Sequence, residues 1–393
     1  MRESCTSGSV RGARGNSRPY RNRREFITLL GGAAVWPVAA RAQQAAKLTS
    51  IGQASALRAV TTVRCLRFAG TIVVALAISL MLMAAPAFAQ IKWTLPSAYP
   101  ADNFHSQNLE AFAKDLAEAT GGKLSIKVYS NASLLPVSVI KRAVQMGRMQ
   151  IGETLISLHD NEDPIFGIDV VPFLATSYDE ARKLWEASKP LVERKLAEQG
   201  LMPLFAVPWP PQGIFASKEI NEIADMNGLS WRVYNASTQR IAQIVGAYPI
   251  TIQAADLKQA LATGLINAFM TSGATGYDVK AWESMGYFYD TQAWIPKNVT
   301  IVNRAAFGQL DKSTQETMLK VAAAAEARGW WRSQDKTKWY TEQLAAHGMK
   351  VLPPSRALKT ELQQMGERLT GEWLMRAGAD GQALIQAYRK QTK

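Results

Sequence analysis

The chain has 393 residues, with 45 Lys and Arg against 32 Asp and Glu, which gives a net charge of +13. Such an excess would favour a nucleic acid or an anionic membrane as partner. However, residues 1–89 hold twelve of the basic and two of the acidic residues, so the remaining 33 and 30 leave a net charge of only +3, and we expect no nucleic-acid partner. Both cysteines, Cys5 and Cys65, also precede residue 90. The remainder therefore has no disulfide, thiol nucleophile or cysteine-based metal site.

Residues 1–89 contain two successive export signals. The first has the pair Arg23-Arg24 before an apolar run that ends in small residues near Ala42, and it resembles a bacterial twin-arginine leader. The second, about residues 64–89, ends in Ala87-Phe88-Ala89, a small-x-small site for a signal peptidase. We expect cleavage near Ala89 and export to the periplasm. An uncleaved membrane anchor is the alternative, although the apolar stretch is short for a span of about 20 residues.

Two leaders in one chain are unusual. We infer that translation starts further downstream, that residues 1 to about 60 are rarely or never made, and that the twin-arginine-like segment is an artefact of the start site. Cellular peptides from residues 19–44 would contradict this inference. In either case residues 1–89 are targeting sequence and do not bear on the fold.

From residue 90 the chain alternates between strand and helix patterns. Apolar or alternating runs predict strands at 91–95, 124–129, 202–207, 229–234 and 266–270. Helical spacing, a Ser-x-x-Glu capping box and glycine stops predict helices at 103–120, 177–199, 255–263, 311–347 and 355–390. Asn235 or Ser237 is expected to cap the helix that follows the strand at 229–234. This alternation indicates an α/β fold with mostly parallel sheets, and about 300 residues favour two lobes.

The sequence carries no motif of a common catalytic site. It has no G-x-S-x-G elbow, no G-x-x-x-x-G-K-[ST] phosphate loop and no H-E-x-x-H pair. The three histidines, His105, His159 and His347, are isolated from one another. An acidic stretch at 160–163 lacks the ligand spacing of a calcium loop and is typical of a solvated turn. We predict no enzyme activity, no metal site and no cofactor.

Five stretches, taken in this order, resemble the extracytoplasmic solute-binding subunits of tripartite ATP-independent periplasmic (TRAP) transporters, the DctP-like family. They are residues 112–126, 171–174, 227–233, 246–249 and 256–268. Each is weak alone, but their order and the preceding signal peptide make the resemblance specific. It covers essentially all of residues 90–393.

The resemblance implies a bilobed, periplasmic-binding-protein-like fold, with two α/β lobes joined by crossing strands and a long helix, here 311–347. Lobe I would comprise residues 90–213 with about 300–345, and lobe II residues 214–299 with about 346–393. A receptor of this kind closes on one small organic acid and delivers it to the small and large membrane subunits of a TRAP permease. We expect it to act as a monomer.

The resemblance also assigns a role to Arg232. In this family the Arg of the corresponding strand holds the carboxylate of the solute. The chemistry agrees, because a planar guanidinium donates two parallel hydrogen bonds to a carboxylate and stays charged when it is desolvated. The alternative for Arg232 is a salt bridge to a carboxylate of its own lobe.

Two departures from the family pattern narrow the solute. The stretch 266–272 has Phe269, Met270 and hydroxyl side chains where many members have acidic and amide groups. The stretch 209–215 lacks the second Arg that many members carry. A single Arg with more apolar surface favours a monocarboxylate with an apolar or aromatic body over a dicarboxylate or sialic acid.

The other predicted contacts are polar or aromatic side chains near the carboxyl ends of strands, where open α/β sheets bind ligands. Trp231 points away from Arg232 on its strand and belongs either to the core or to the pocket. The predicted binding residues are Arg232, Gln212, Thr271, Trp209, Phe269, Tyr99, His105 and His159.

Two other functions remain open at this point. A receptor that serves a two-component sensor would have the same sequence features as one that serves a transporter. A periplasmic enzyme acting on a small acid is disfavoured by the missing catalytic motifs. The sequence does not identify the acid.

Overall fold

A computed structural model describes residues 90–392. In this part of the chain the strands are β1 Ile91–Pro96, β2 Leu124–Tyr129, β3 Ile151–Leu155, β4 Leu201–Pro208, β5 Gln212–Ala216, β6 Ser230–Val233, β7 Tyr248–Thr251, β8 Ala268–Ser272, β9 Tyr287–Tyr289, β10 Lys297–Asn303 and β11 Lys350–Leu352. The predicted export signals and the cleavage site near Ala89 lie outside the described residues.

Helices fill most of the intervals between these strands. They are α1 Phe104–Ala119, α2 Val137–Gln145, α3 Tyr178–Glu198, α4 Ala236–Ile244, α5 Leu257–Ala262, α6 Gly273–Asp278, α7 Arg304–Gly308, α8 Lys312–Ala346 and α9 Arg356–Thr392. Gly378 interrupts α9 with a φ of 58°, a left-handed conformation that glycine adopts without a Cβ clash. Short 3₁₀ turns include Ile156–His159, directly after β3.

Local sequence signals account for several helix ends. Ser177 and Glu180 form the predicted capping box at the start of α3, each side chain accepting from the backbone of the other residue. Asn235, and not Ser237, caps α4 by accepting from the Thr238 amide at 2.9 Å. The long helix predicted over 311–347 is α8, with Asp311 as its N-cap.

The strands form three sheets, with the orders β1-β2, β3-β10-β4 and β11-β9-β5-β8-β6-β7. The prediction of mostly parallel sheets was wrong. Strand β10 runs antiparallel to both β3 and β4, and β5 runs antiparallel to β8 and β9. The reason is that these strands pair with partners distant in the chain, so the alternation of elements does not set their direction.

The six-stranded sheet positions several polar side chains next to one another. Gln212 of β5 lies opposite Ser272 of β8, and Arg232 of β6 lies in register with Phe269 of β8. Gly213 follows Gln212 where a Cβ would come within 2.5 Å of Phe288 and of the Tyr289 carbonyl oxygen. Only glycine therefore permits this close approach of β5 and β9.

Apolar packing joins the elements into a continuous body. Trp231 is fully buried in a core cluster with Trp294 and Leu358, so of its two predicted placements the core is the one observed. Helix α9 contributes Leu358 to that cluster. It also contributes Trp373 to a second cluster, which contains Trp185. None of the described helices is both long enough and apolar enough to cross a bilayer.

Candidate functional site: a cavity with one buried arginine

A cavity lies between the end of β6 and the residues that follow β1, β3 and β4. The side chains around it come from distant parts of the chain and are mostly apolar or uncharged. They are Tyr99, Val137, Leu155, Leu158, Trp209, Gln212, Arg232, Tyr234, Gln253, Ala254, Thr271, Ser272, Thr275 and Pro296. About 40 Å³ of free space remains inside, against ~10–15 Å³ for one water molecule. A solute bound here must be small.

Arg232 gives the cavity its charge. It is 3% exposed, and its Nε donates to the Ile252 carbonyl oxygen at 2.8 Å. Its two terminal nitrogens make no hydrogen bond with any described residue, although Arg232 lines the cavity. Burial lowers the Arg232 pKa to about 10, and no carboxylate among the described residues offsets this. The alternative of a salt bridge within the lobe is therefore not observed.

The cavity combines this cation with uncharged polar groups. Among the described residues that line it, Arg232 is the only charged side chain. The Thr271 hydroxyl has no hydrogen-bond partner among the described residues, and Thr271 is 5% exposed. Gln212 donates from Nε2 to the Pro210 carbonyl oxygen at 2.8 Å and accepts from the Tyr234 hydroxyl at 3.4 Å. These groups suit one negative charge with a few polar atoms beside it.

Aromatic rings form one wall of the cavity. The Tyr99 and Trp209 rings meet edge to face, with centroids 4.7 Å apart. The Tyr99 hydroxyl and the Trp209 Nε1 both donate to Oδ1 of Asn298, at 3.2 and 2.9 Å. Burial, with the nearby Glu153 carboxylate, raises the Tyr99 pKa, so this hydroxyl stays protonated.

His105 lies behind this wall and does not line the cavity. Its ring centroid is 4.2 Å from that of Trp209, and its Nδ1 is 3.4 Å from the Glu153 carboxylate. Burial lowers the His105 pKa, which favours the neutral ring. Any influence of His105 on a solute would therefore act through Trp209.

His159 also lies outside this cavity. It lines a neighbouring cavity of about 240 Å³ that shares Leu158, Tyr234 and Gln253 with the first. Its Nε2 is 3.0 Å from the Thr154 hydroxyl, and its Nδ1 is 3.2 Å from Glu162. Burial, together with the Lys141 ammonium, lowers the His159 pKa to about 4, so the ring is neutral at pH 7.

Phe269 is placed differently from the prediction. It is fully buried and stacks on Phe215, with centroids 4.8 Å apart and planes within 5°. Both rings belong to a core cluster with Leu257 and Phe288. Phe269 therefore contributes to packing in this cluster and does not line the cavity.

Several residues of the site were missed in the sequence. Tyr234 follows Arg232 by two positions, so the period of a strand places both on one face and would have indicated it. The Tyr234 ring lies 4.5 Å from the Arg232 guanidinium. Gln253 follows β7 and Asn298 lies on β10, so no spacing connects either of them to the predicted residues. Thr275 comes four positions after Thr271, in α6, and also lines the cavity.

Two hydrogen bonds link the elements on either side of the cavity. Asn235, the cap of α4, donates from Nδ2 to the Ser157 hydroxyl at 3.1 Å. Asn103, the cap of α1, donates from Nδ2 to Asp278 at the end of α6, at 2.6 Å. They connect the start of α1 to the end of α6, and the start of α4 to the turn after β3.

A buried cation that no carboxylate among the described residues neutralises suits the binding of an anion. The family model of the bacterial extracellular solute-binding proteins, family 7 (DctP), matches residues 97–375. The chain belongs to this family, as the sequence resemblance predicted. Its members are TRAP solute receptors, which bind small organic acids and do not convert them.

Solved structures and curated relatives agree with this assignment. The chain is 52% identical to DctP6, a Bordetella pertussis extracytoplasmic solute receptor that binds pyroglutamic acid, with a TM-score of 0.75 over 76% of this chain and 99% of that one. It is 42% identical to a marine metagenome TRAP solute-binding protein specific for pyroglutamate, with a TM-score of 0.76 over 77% and 100%. A monocarboxylate 2-oxoacid-binding periplasmic protein of Nostoc sp. is 23% identical over 309 residues, which are 77% of this chain and 85% of that protein. The fold is thus the bilobed α/β fold that was predicted.

Proposed function

We propose that this protein is a receptor for pyroglutamate, the five-membered lactam of glutamic acid. One observation carries the proposal: the described lining of the cavity contains a single cation, Arg232, and no carboxylate. Pyroglutamate has one carboxylate and an uncharged ring nitrogen. Two of the solved structures to which this chain is similar bind this acid, at 52% and 42% identity.

The charge inventory of the cavity disfavours related solutes. The ammonium of proline or glutamate would be buried without a carboxylate to pair with, and burying an unpaired charge costs several kcal/mol. The second carboxylate of succinate would likewise have no second cation. A small monoanion without an ammonium group meets neither penalty.

We assign the contacts from the polar and aromatic side chains that line the cavity. The two free nitrogens of Arg232 hold the carboxylate through parallel hydrogen bonds. Thr271 and Gln212 face the polar atoms of the lactam, while Tyr99 and Trp209 pack against the ring. His105 supports Trp209 from behind, and His159 lies in the adjoining cavity.

The remaining parts of the proposal concern export and delivery. The protein is exported, is cleaved near Ala89, acts as a monomer in the periplasm and closes on its solute by a hinge motion that binding drives. It then delivers the solute to the small and large membrane subunits of a TRAP permease. Lobe I is taken as 90–213 with about 300–345, and lobe II as 214–299 with about 346–393. Mass spectrometry of the mature N-terminus tests the cleavage and should find Gln90 as the first residue.

The solute is tested by two measurements on the purified protein. Denaturing the purified protein should release any pyroglutamate that co-purifies, and mass spectrometry should detect it. The refolded protein is then tested by thermal shift against pyroglutamate, proline, glutamate, succinate and pyruvate. Pyroglutamate should raise the midpoint of thermal unfolding, because a ligand that binds only the native state stabilises it. A shift with proline or succinate and none with pyroglutamate would contradict the proposal.

A further inference from the structure

Asn298 connects the two aromatic rings of the cavity wall. It lies on β10, is 1% exposed and does not line the cavity. Its Oδ1 accepts from Trp209 Nε1 at 2.9 Å and from the Tyr99 hydroxyl at 3.2 Å. Because the indole N–H only donates, this contact fixes which end of the Asn298 amide faces the rings. One carbonyl oxygen therefore sets the position of both.

The other contacts of this wall restrict the rings further. His105 packs on Trp209 from behind, with centroids 4.2 Å apart, and Phe104 meets Trp209 edge to face at 5.5 Å. The Asn298 Nδ2 lies 3.5 Å from His105 Nδ1, which also faces Glu153. Packing against His105 and Phe104 and the hydrogen bond to the Asn298 oxygen thus both restrict the Trp209 ring. Asn298 is the only one of these partners that contacts both polar ends.

We propose that Asn298 is a positioning residue that fixes the angle between Tyr99 and Trp209 and thereby makes the receptor selective for a compact ring-shaped acid. This inference rests on the proposed function. A ring-shaped solute needs both aromatic faces at once, whereas an acyclic acid such as propionate needs little more than Arg232. Without the Asn298 oxygen, two buried donors lose their acceptor, and the rings turn to find another.

The test compares Asn298→Leu with Thr300→Val. Thr300 lies on the same strand, is 1% exposed and has an Oγ1 with no hydrogen-bond partner among the described residues, so its replacement is a matched control. Calorimetry should show that Asn298→Leu weakens pyroglutamate binding by about tenfold or more, while propionate affinity changes less than about twofold. Thr300→Val should bind both acids like the wild type. An equal loss for both acids in Asn298→Leu would overturn the inference.

A second readout needs no ligand. In protein labelled with 5-fluorotryptophan, the ¹⁹F resonance of Trp209 is assigned by its absence in Trp209→Phe. Asn298→Leu should shift or broaden this resonance in the free protein, and Thr300→Val should not. An unchanged Trp209 resonance would show that Asn298 does not position the ring. If the wild type failed to bind pyroglutamate while the resonance responded, the proposed solute would fail and the positioning role would stand.

Tyr99→Phe keeps the claim testable if Asn298→Leu does not fold. It removes one of the two hydrogen bonds to Asn298 and keeps the aromatic face. Its pyroglutamate affinity should fall more than its propionate affinity. An equal fall for the two acids would contradict the proposal. Where Asn298→Leu does fold, the loss in the double variant should be smaller than the product of the two single losses, because both act through one contact. Additive losses would contradict the proposal.

Discussion

The guanidinium of Arg232 lies 4.5 Å from the centre of the Tyr234 ring, and no carboxylate among the described residues pairs with it. The ring and the Ile252 carbonyl oxygen orient the group without neutralising it. A desolvated cation held in this way is unfavourable until an anion enters. The free protein thus keeps at this site a charge that no described carboxylate balances.

Replacing Arg232 by Met should separate binding from stability. The dissociation constant for the bound acid should rise by about 30-fold or more, since truncating one partner of a buried charge pair costs ~2–5 kcal/mol. The free variant should be as stable as the wild type or more stable, because an apolar side chain replaces a buried cation that pairs with no carboxylate among the described residues. Calorimetry and urea unfolding measure the two effects.

Arg240→Met is the matched control. Arg240 forms a two-pronged ion pair with Glu372, at 2.9 Å for both hydrogen bonds, outside the cavity. Its removal should leave binding unchanged and lower stability by about 0–1 kcal/mol, as for other exposed pairs. If Arg232→Met bound like Arg240→Met, the anchoring role of Arg232 would be lost.

Substitutions at two positions on β8 should affect different properties, stability at Phe269 and affinity at Thr271. Phe269→Ala should lower the free energy of unfolding by about 3–5 kcal/mol, because it opens a space beside the stacked Phe215 ring. Thr271→Val removes only a hydroxyl that has no hydrogen-bond partner among the described residues, so stability should hold while affinity falls by about two- to tenfold. Urea unfolding and calorimetry check both, and a normal stability for Phe269→Ala would contradict its placement in the core.

Ser157→Ala should shorten the lifetime of the complex. It removes the acceptor of the Asn235 amide that links the turn after β3 to the start of α4. Asn235 would still cap α4 through Oδ1, so the melting temperature of the free protein should change little. Stopped-flow measurements should show a dissociation rate about two- to tenfold faster. An unchanged rate would mean that this hydrogen bond does not favour the narrow cavity.

The contact between Asn103 and Asp278 predicts a pH dependence. Burial, with the nearby Asp102 carboxylate, raises the Asp278 pKa to about 7, and the Tyr340 side chain also lies close by. A raised pKa means that the folded chain holds this proton more tightly than the unfolded chain, so stability is lost as the pH rises from about 4 to about 7. Asp278→Asn still accepts a hydrogen bond from Asn103. Its melting temperature should therefore exceed that of the wild type by about 2–4 °C at pH 8 and by less at pH 5.

Asp311→Asn should change the melting temperature in the opposite direction to Asp278→Asn. Hydrogen bonds from Lys123 and Thr314 lower the Asp311 pKa. The charged Asp311 therefore stabilises the folded chain at every pH above the ordinary pKa of an aspartate. This variant should melt below the wild type at both pH 5 and pH 8. For Asp278→Asn, a difference in melting temperature from the wild type that is the same at pH 5 and pH 8 would show that the Asp278 carboxylate titrates normally.

Local patterns in the sequence predicted most of the elements and singled out Arg232, whose role in binding stays a prediction. Arg232 stands out because it is a lone cation in an otherwise apolar and aromatic strand, and the structure gives it no carboxylate partner among the described residues. The Ser177 capping box and the helix from Lys312 to Ala346 follow equally local signals. These features depend on neighbours within one or a few helical turns.

The parts that escaped prediction depend on contacts between distant residues. Asn298 lies 199 positions from Tyr99 and 89 from Trp209, so no spacing connects them. Phe269 and Thr271 share a face of β8 by the period of a strand, yet Phe269 packs on Phe215 in a core cluster and only Thr271 of the two lines the cavity. The antiparallel course of β10 likewise depends on pairing with β3 and β4.

The most direct test of the account is a calorimetric titration of L-pyroglutamate into the refolded wild-type protein and into Arg232→Met. We expect one site per chain in the wild type, and binding at least about 30-fold weaker in the variant while its unfolding curve is retained. Equal affinities for the two proteins, or tighter binding of succinate than of pyroglutamate to the wild type, would contradict a cavity built around one buried cation for a small monoanion.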